Sequence, residues 1–137
     1  DIYRFVPSVA PLKEKYRISD RYGYRTHPIS GERQFHAGLD MAAVYAATVH
    51  AAASGTVTFA GETPGYGKTV VVTHRFGFQT RYAHLTLIYT RKGAKVEKGD
   101  VIGFVGSTGI STGNHLHYEV IKNQKRINPL NFIYGTK

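Results

Sequence analysis

The hydrophobic residues of this chain come in short runs that are rich in β-branched and aromatic side chains. Five such runs span residues 56–60, 68–74, 78–84, 101–105 and 116–121. Each run has the length and composition of a strand, and glycine-containing turns separate the runs. The spacing of the glycines leaves little room for helix. The chain is therefore predicted to be mostly β, with antiparallel sheets and little helix.

The second and third runs are predicted to form a β-hairpin. Only residues 75–77 separate them, and Gly77 gives the short turn the backbone freedom that it needs. The strands 68–74 and 78–84 are therefore expected to be antiparallel neighbours in the sheet.

Chain length predicts a single domain, because 137 residues are enough for a substantial core. Residues 1–15 contain Pro7 and Pro11 and follow no regular period, so they are predicted to be an N-terminal extension of a domain at 16–137. No apolar run approaches the roughly 20 residues that span a bilayer. The chain starts at Asp1 without a signal peptide, as expected of a mature form or an excised domain.

Composition restricts the chemistry more than it restricts the fold. The chain has no cysteine, which excludes disulfides and thiol nucleophiles, so a bound metal would need nitrogen or oxygen ligands. Its 18 Lys and Arg against 9 Asp and Glu give a formal charge of +9. Such a charge favours an anionic partner, and nucleic acid, a membrane surface and a bacterial wall polymer are the candidates.

The seven histidines include the first candidates for a site. His115 and His117 belong to the sequence HLH in a predicted strand, where alternation directs both imidazoles to one face and Leu116 to the core. Their separation, roughly 6.5 to 7 Å along a strand, suits one metal ligand and one histidine beside an activated water. Three histidines lack a second ligand type at a useful spacing and are expected to be structural: His27, His50 and His74.

Two further candidates lie earlier in the chain. In HAGLD, His36 and Asp40 are four residues apart around a glycine and could both bind zinc. His84 ends the hairpin strand, where alternation predicts that it shares a face with Thr80 and Tyr82, and it could be the second imidazole of a catalytic pair. Two histidines and one carboxylate would leave a fourth position for water, which is typical of a catalytic zinc site and of amide hydrolysis.

These segments resemble the LytM or lysostaphin-type zinc endopeptidases, which cut peptide bonds in bacterial peptidoglycan. The resemblance runs from residue 21 to residue 120, through RYGYRTHPISGERQFHAGLDMAA (21–43), ASGTVTFAGETPGYGKTVVVTHRFGFQTRYAHL (53–85) and VEKGDVIGFVGSTGISTGNHLHYEV (96–120). Three motifs carry it: H-x-x-x-D, a His-Leu pair after the hairpin, and H-x-H preceded by S-T-G.

The resemblance implies a role for each candidate residue. His36, Asp40 and His117 would bind one zinc ion, and His84 and His115 would be the catalytic pair beside the water. It also implies a lysostaphin-like fold with a groove for an extended peptide, hydrolysis of peptidoglycan cross-links, and a location in the periplasm or at the cell wall. No ligand or catalytic position of the motifs is substituted.

Several alternatives stay open. Relatives cut D,D-cross-links or glycyl-glycine bridges, and the D,D type is favoured because these residues include no wall-binding domain. The alternative function is a noncatalytic or latent regulatory or wall-binding module that activates another hydrolase. Its partner would be a regulatory protein, or an upstream inhibitory segment would keep the site latent. A biotinyl or lipoyl carrier is disfavoured because Met41 has no lysine beside it. Nucleic acid is not expected as a partner, because the basic residues are scattered, with their densest cluster at 122–126.

Overall fold

The structure of the protein, a computed structural model, describes residues 2–26, 30–109 and 113–133. Twelve strands and two short 3-10 helices make up this described part. The strands are β1 (Arg17–Asp20), β2 (Gly23–Thr26), β3 (Arg33–His36), β4 (Leu39–Ala42), β5 (Thr48–His50), β6 (Gly55–Thr63), β7 (Gly67–Thr73), β8 (Phe78–Ile88), β9 (Lys95–Val96), β10 (Val101–Val105), β11 (His115–Lys122) and β12 (Lys125–Ile127). The 3-10 helices span Ile2–Phe5 and Pro129–Asn131. Among the described residues, no helix has the length and hydrophobicity needed to cross a membrane.

Ten of these strands form one sheet, and β2 and β3 form a separate hairpin. The main order of the sheet is β1-β4-β11-β8-β7-β6-β9, with β10 beside β5 and β8, and β12 beside β11. Every pairing between named strands of the described chain is antiparallel. The predicted fold class, mostly β with antiparallel sheets and little helix, is therefore confirmed.

The five strands predicted from the hydrophobic runs are all present, as β6, β7, β8, β10 and β11. β7 and β8 also form the predicted hairpin. The sequence pattern missed the other seven strands of the described chain, which are two to four residues long. A strand of that length shows too few alternations to be distinguished from a loop.

The core lies on one face of the long strands. Leu116, Tyr118 and Val120 alternate along β11 and are fully buried, and they pack in one cluster with Val70 and Val72 of β7. β-Branched side chains at alternate positions favour the extended backbone and supply the apolar face at the same time. Burying each such side chain contributes roughly 1.5–3 kcal/mol relative to leaving it exposed.

Residues 2–16 lie against the main sheet. Leu12 is buried and forms an isolated antiparallel bridge with Val49. The Lys98 ammonium donates to two backbone carbonyls near the start of this segment and to the Ser8 hydroxyl, at 2.6 to 3.3 Å. The division into an extension and a domain stays a prediction, and the segment shares the core of the domain.

The side chains of β8 change direction within the strand. Thr80 and Tyr82 are fully buried, and the next member of the core cluster is Leu85, so the inward alternation of even-numbered residues ends at Tyr82. His84 lies between them with φ of +63°, in the left-handed region. The register of β8 against β7 shifts at the same place. This irregularity is a β-bulge, and it determines where His84 points.

Candidate active site

The pairing of β4 with β11 brings a carboxylate and two histidines together. Asp40 lies directly across from His117, and Ala42 lies across from His115. Paired side chains share one face of a sheet, so Asp40 Oδ1 is 2.7 Å from His117 Nδ1. His115 Nε2 is 4.0 Å from the same oxygen.

His36 approaches the same carboxylate from a different strand. It ends β3, and a two-residue turn leads into β4. His36 Nε2 is 3.3 Å from Asp40 Oδ2, while Nδ1 donates to the Arg21 carbonyl at 3.0 Å. The H-x-x-x-D spacing therefore brings its two ends together across a turn between strands.

Gly38 allows this turn to lie against β11. A Cβ at Gly38 would be 2.7 Å from the Tyr118 carbonyl oxygen, 2.8 Å from Cε1 of His117 and 2.9 Å from Cγ of Glu119. Side chains do not tolerate contacts this close, so a larger residue would push the turn away from His117.

Three ligand atoms converge here as a metal site requires. One atom each from His36, Asp40 and His117 lie within 4.8 Å of one another. The opposite ring nitrogen of each histidine has its own acceptor, the Arg21 carbonyl at 3.0 Å and the Glu119 carboxylate at 2.9 Å. The other two ring nitrogens, His36 Nε2 and His117 Nδ1, both lie beside the Asp40 carboxylate, and two imidazoles that are neutral when they bind a metal suit a divalent ion together with a carboxylate. The residues present therefore fit a bound metal.

The pKa of each group in this cluster depends on the charge of its neighbours. Burial alone would lower the pKa of His117, but its hydrogen bonds to Asp40 and Glu119 raise that pKa to about 9. Burial would raise the pKa of Asp40, whereas the hydrogen bonds from His117 and His36 hold that pKa below its usual range. The surroundings thus stabilise a positive charge between the two carboxylates, as a proton on His117 or as a bound cation.

His84 reaches this cluster because of the bulge in β8. The prediction that it shares a face with Thr80 and Tyr82 is wrong. Those two side chains bond to each other in the core, whereas the His84 ring centroid is 4.9 Å from that of His115 and 6.0 Å from that of His117. The left-handed backbone at His84 turns its side chain to the opposite face of the strand.

The surrounding backbone fixes which nitrogen of His84 carries the proton. Nδ1 is 2.6 Å from the Thr108 carbonyl, which can only accept, so Nδ1 donates and Nε2 keeps its lone pair. Thr108 is itself held, because its hydroxyl donates to the Leu85 carbonyl at 2.6 Å and accepts from the Lys68 amide at 3.1 Å. Burial lowers the pKa of His84, and the Thr108 carbonyl opposes this shift.

His115 is arranged in a similar way. Its Nδ1 lies 3.0 Å from the Gly113 carbonyl, which directs Nε2 toward Asp40. The structure therefore brings all five predicted residues together around one point, and the roles assigned to them stay predictions.

The sequence did not reveal three residues that surround the cluster. Glu119 contacts His117 and lies two residues after it in β11. The alternation of a strand, which places both side chains on one face, could have indicated it. Tyr66 donates its hydroxyl to Glu119 at 2.9 Å, and Thr108 holds His84. Both lie in glycine-rich loops without a period, so no local pattern indicates them.

The remaining described histidines bond to other parts of the fold. His50 lies between the Thr48 hydroxyl and the Gly99 carbonyl at 2.9 and 2.8 Å. His74 has both ring nitrogens in hydrogen bonds of 2.8 Å. Both have the structural role expected of them. His27 lies outside the described residues, as does part of the S-T-G motif at 111–113.

The antiparallel sheet and the His/Asp/His cluster with two adjacent histidines define the class of protein as a metallopeptidase-type domain. Residues 34–129 match the model of Peptidase family M23, and the chain belongs to this family. The matched range includes every candidate ligand and catalytic histidine described above.

Three known proteins illustrate the similarity. The DD-carboxypeptidase/endopeptidase Mpg of Neisseria meningitidis is 48% identical over 120 residues, which cover 88% of this chain and 28% of that protein. A zinc containing peptidase from Vibrio cholerae has a TM-score of 0.82 at 32% identity, covering 92% of this chain and 39% of that one. The catalytic domain of lysostaphin from Staphylococcus simulans has a TM-score of 0.77 at 30% identity, covering 85% and 91%.

These similarities confirm the predicted resemblance to lysostaphin-type peptidases and the lysostaphin-like fold. The chain spans about a quarter to a third of the length of the curated relatives that it matches.

Proposed function

We propose that this protein is a zinc-dependent endopeptidase that hydrolyses peptide cross-links of bacterial peptidoglycan. The observation that carries the proposal is the convergence of His36, Asp40 and His117, with His84 and His115 beside them. Membership of a peptidase family and the name of the Neisseria relative, a DD-carboxypeptidase/endopeptidase, support the endopeptidase part of this proposal. Titratable side chains grouped in this way are typical of catalytic sites.

His36, Asp40 and His117 would hold the zinc ion, which supplies a Lewis acid that polarises the scissile carbonyl and activates water. His84 can accept a proton from the attacking water at Nε2, because Thr108 holds the proton on Nδ1. His115, once protonated at Nε2, can donate a hydrogen bond to the developing oxyanion. Both histidines are held at Nδ1 by backbone carbonyls, which fixes their orientation before substrate binds.

We favour the D,D-cross-link as the substrate bond, because the Neisseria relative is named a DD-carboxypeptidase/endopeptidase. Exposed aromatic residues next to His36 offer a surface for an extended peptide, because Tyr24 and Phe35 are 68% and 47% exposed and pack edge to face. Peptidoglycan lies outside the cytoplasm, so the proposed site of action is the periplasm or the cell wall.

The test is to incubate the protein with purified sacculi of the diaminopimelate-linked and glycine-bridged types and to identify the released fragments by mass spectrometry. We expect loss of cross-linked dimers from the diaminopimelate type. We expect no release by His117→Ala or after metal removal with a chelator. His50→Gln is the matched control, because it changes a histidine that bonds elsewhere in the fold.

Two outcomes would overturn parts of this proposal. Cleavage confined to glycine-bridged walls would reject the D,D preference and keep the enzyme. A wild type that binds zinc and releases nothing from either wall would reject the activity and favour the latent or regulatory alternative.

A further inference from the structure

We propose that Glu119 is a positioning residue that fixes the orientation of His117 for metal binding. This inference rests on the metal site proposed above and concerns a residue outside the ligand set. Glu119 Oε2 lies 2.9 Å from His117 Nε2, while Nδ1 of the same ring faces Asp40 at 2.7 Å. The two carboxylates therefore hold the imidazole from opposite sides.

Glu119 is itself held by donors on both oxygens. Its side chain is fully buried. Oε2 accepts from the Tyr66 hydroxyl at 2.9 Å in addition to His117. Oε1 accepts from Arg126 Nε at 3.0 Å and lies 3.6 Å from a terminal nitrogen of Arg81. A carboxylate with this many donors has a single orientation, so it can act as a fixed acceptor for His117.

The choice of metal-facing nitrogen follows from this acceptor. Because the Glu119 carboxylate only accepts, His117 Nε2 keeps its proton, and Nδ1, which donates to Asp40 when no metal is bound, is the nitrogen whose proton a metal would replace. His36 has the opposite arrangement, with the Nδ1 proton on the Arg21 carbonyl and Nε2 toward Asp40. The two histidines would thus use different nitrogens, and at His117 a buried carboxylate makes the selection.

The partners of Glu119 come from three separate parts of the fold. Tyr66 lies between β6 and β7, with its ring 5.5 Å from the His117 ring and beneath the Arg81 guanidinium at 4.9 Å. Arg126 comes from β12, and its carbonyl accepts from the Tyr22 hydroxyl at 2.9 Å. An arginine of the densest basic cluster in the sequence therefore points at a buried acid below the candidate metal site.

Glu119→Gln tests the inference, because it removes the charge and keeps the shape. The amide oxygen can serve His117 and Tyr66 only if the amide nitrogen faces the Arg126 cation, so the ring loses its fixed acceptor. We expect the zinc dissociation constant to rise about 10- to 100-fold in competition with a chromophoric chelator. Glu62→Gln makes the same chemical change on an exposed part of β6 and should leave the dissociation constant unchanged.

A second readout separates orientation from folding. In the cobalt-substituted protein, the imidazole N–H protons of the two ligand histidines give paramagnetically shifted NMR signals. We expect Glu119→Gln to broaden one of the two signals by faster exchange with water and to leave the other, held by the Arg21 carbonyl, unchanged. Thermal unfolding of the zinc-free variants reports any general loss of stability.

Unchanged zinc affinity with both N–H signals retained in Glu119→Gln would overturn the inference and leave the proposed enzyme intact. If Glu119→Gln does not fold, Tyr66→Phe decides in its place. A raised dissociation constant in that variant supports the role of the network, and an unchanged one overturns it. A wild type that binds no zinc would reject the proposed function itself, and this shows in the first titration.

Discussion

His117 and His74 are both buried, and each has both ring nitrogens in hydrogen bonds, yet their surroundings give them opposite chemistry. His117 lies between the carboxylates of Asp40 and Glu119. His74 lies between neutral groups. Burial lowers the pKa of both, but the carboxylates overcome it and raise the pKa of His117 to about 9, whereas the pKa of His74 stays lowered. The charge of the hydrogen-bond partners, more than burial, distinguishes a candidate ligand from a structural histidine.

The surroundings of His74 form a chain of hydrogen bonds that runs in one direction. His74 donates from Nδ1 to the Ser54 carbonyl at 2.8 Å, so its neutral ring accepts at Nε2 from the Thr80 hydroxyl at 2.8 Å. Thr80 then accepts from the Tyr82 hydroxyl at 2.7 Å, and Tyr82 accepts from the Ala52 amide at 2.9 Å. Each of these hydrogens is used within the chain. The network therefore contributes stability, and it leaves no converging lone pairs for a ligand.

The largest expected effect comes from Asp40→Asn, which removes the charge that faces both candidate histidine ligands. We expect the zinc dissociation constant to rise by more than the roughly 100-fold that bounds the loss of a supporting partner. Titration against a chromophoric chelator measures it. His74→Gln, assayed in parallel, should keep the wild-type value. Equal zinc affinity in Asp40→Asn and wild type would remove Asp40 from the ligand set.

The second-largest effect is expected on stability, in the hydrogen-bond chain of His74. Tyr82→Phe leaves the buried Ala52 amide without an acceptor and Thr80 without one of its donors, so the free energy of unfolding should fall by about 1–3 kcal/mol. Urea denaturation of the zinc-free protein measures this change. Tyr89→Phe is the control, because Tyr89 is exposed and keeps its ring contact with Phe104. A zinc affinity that fell together with stability would show that the two networks are coupled.

The smallest expected effect concerns pH. The lowered pKa of His74 means that the unfolded chain binds a proton more readily than the folded chain, so this group should destabilise the fold as pH falls below about 6.5. Each unit of difference between the two pKa values is worth about 1.4 kcal/mol. His74→Gln removes the titrating ring and should lose less stability than wild type between pH 8 and pH 5. Several charged residues line the pocket beside this ring: Arg4, Arg75, Lys95 and Glu97.

Urea denaturation across this pH range measures the difference between the two proteins. The comparison is between variants because the raised pKa values of His36 and His117 act in the opposite direction in both of them. Parallel curves for wild type and His74→Gln would contradict the assignment of a neutral ring to His74.

The sequence predicted the long strands and the five clustered residues because local patterns encode both. The runs at 68–74 and 78–84 are long enough to be recognised as strands. In the HLH and HAGLD motifs the candidate residues are only two and four positions apart, so the sequence itself shows their spacing. Alternation places Glu119 on the same face of β11 as His117. Its role was still missed, because that role depends on hydrogen bonds from Tyr66 and Arg126. Tyr66 is 53 residues away in the chain, and only the folded sheet brings the two together.

The face of His84 was predicted wrongly for a different reason. Alternation assumes an unbroken ladder, and the left-handed backbone at His84 breaks it. Histidine adopts the left-handed region more often than most residues, but this preference is too weak to predict a bulge from the sequence. The constraint comes from the neighbouring strands and from the Thr108 carbonyl that holds the ring.

The bulge at His84 breaks the alternation of inward-facing and outward-facing side chains along β8. Up to Tyr82 the even-numbered residues of β8 face the core, whereas after His84 the next residue in the core is the odd-numbered Leu85. In a strand with unbroken alternation, Tyr82 and His84 would face the same side, so Tyr82 could not lie in the core while His84 lies beside His115. A design that grafts these five residues onto another sheet must therefore include the β-bulge at His84. Without the bulge, the His84 side chain would point away from the other four residues.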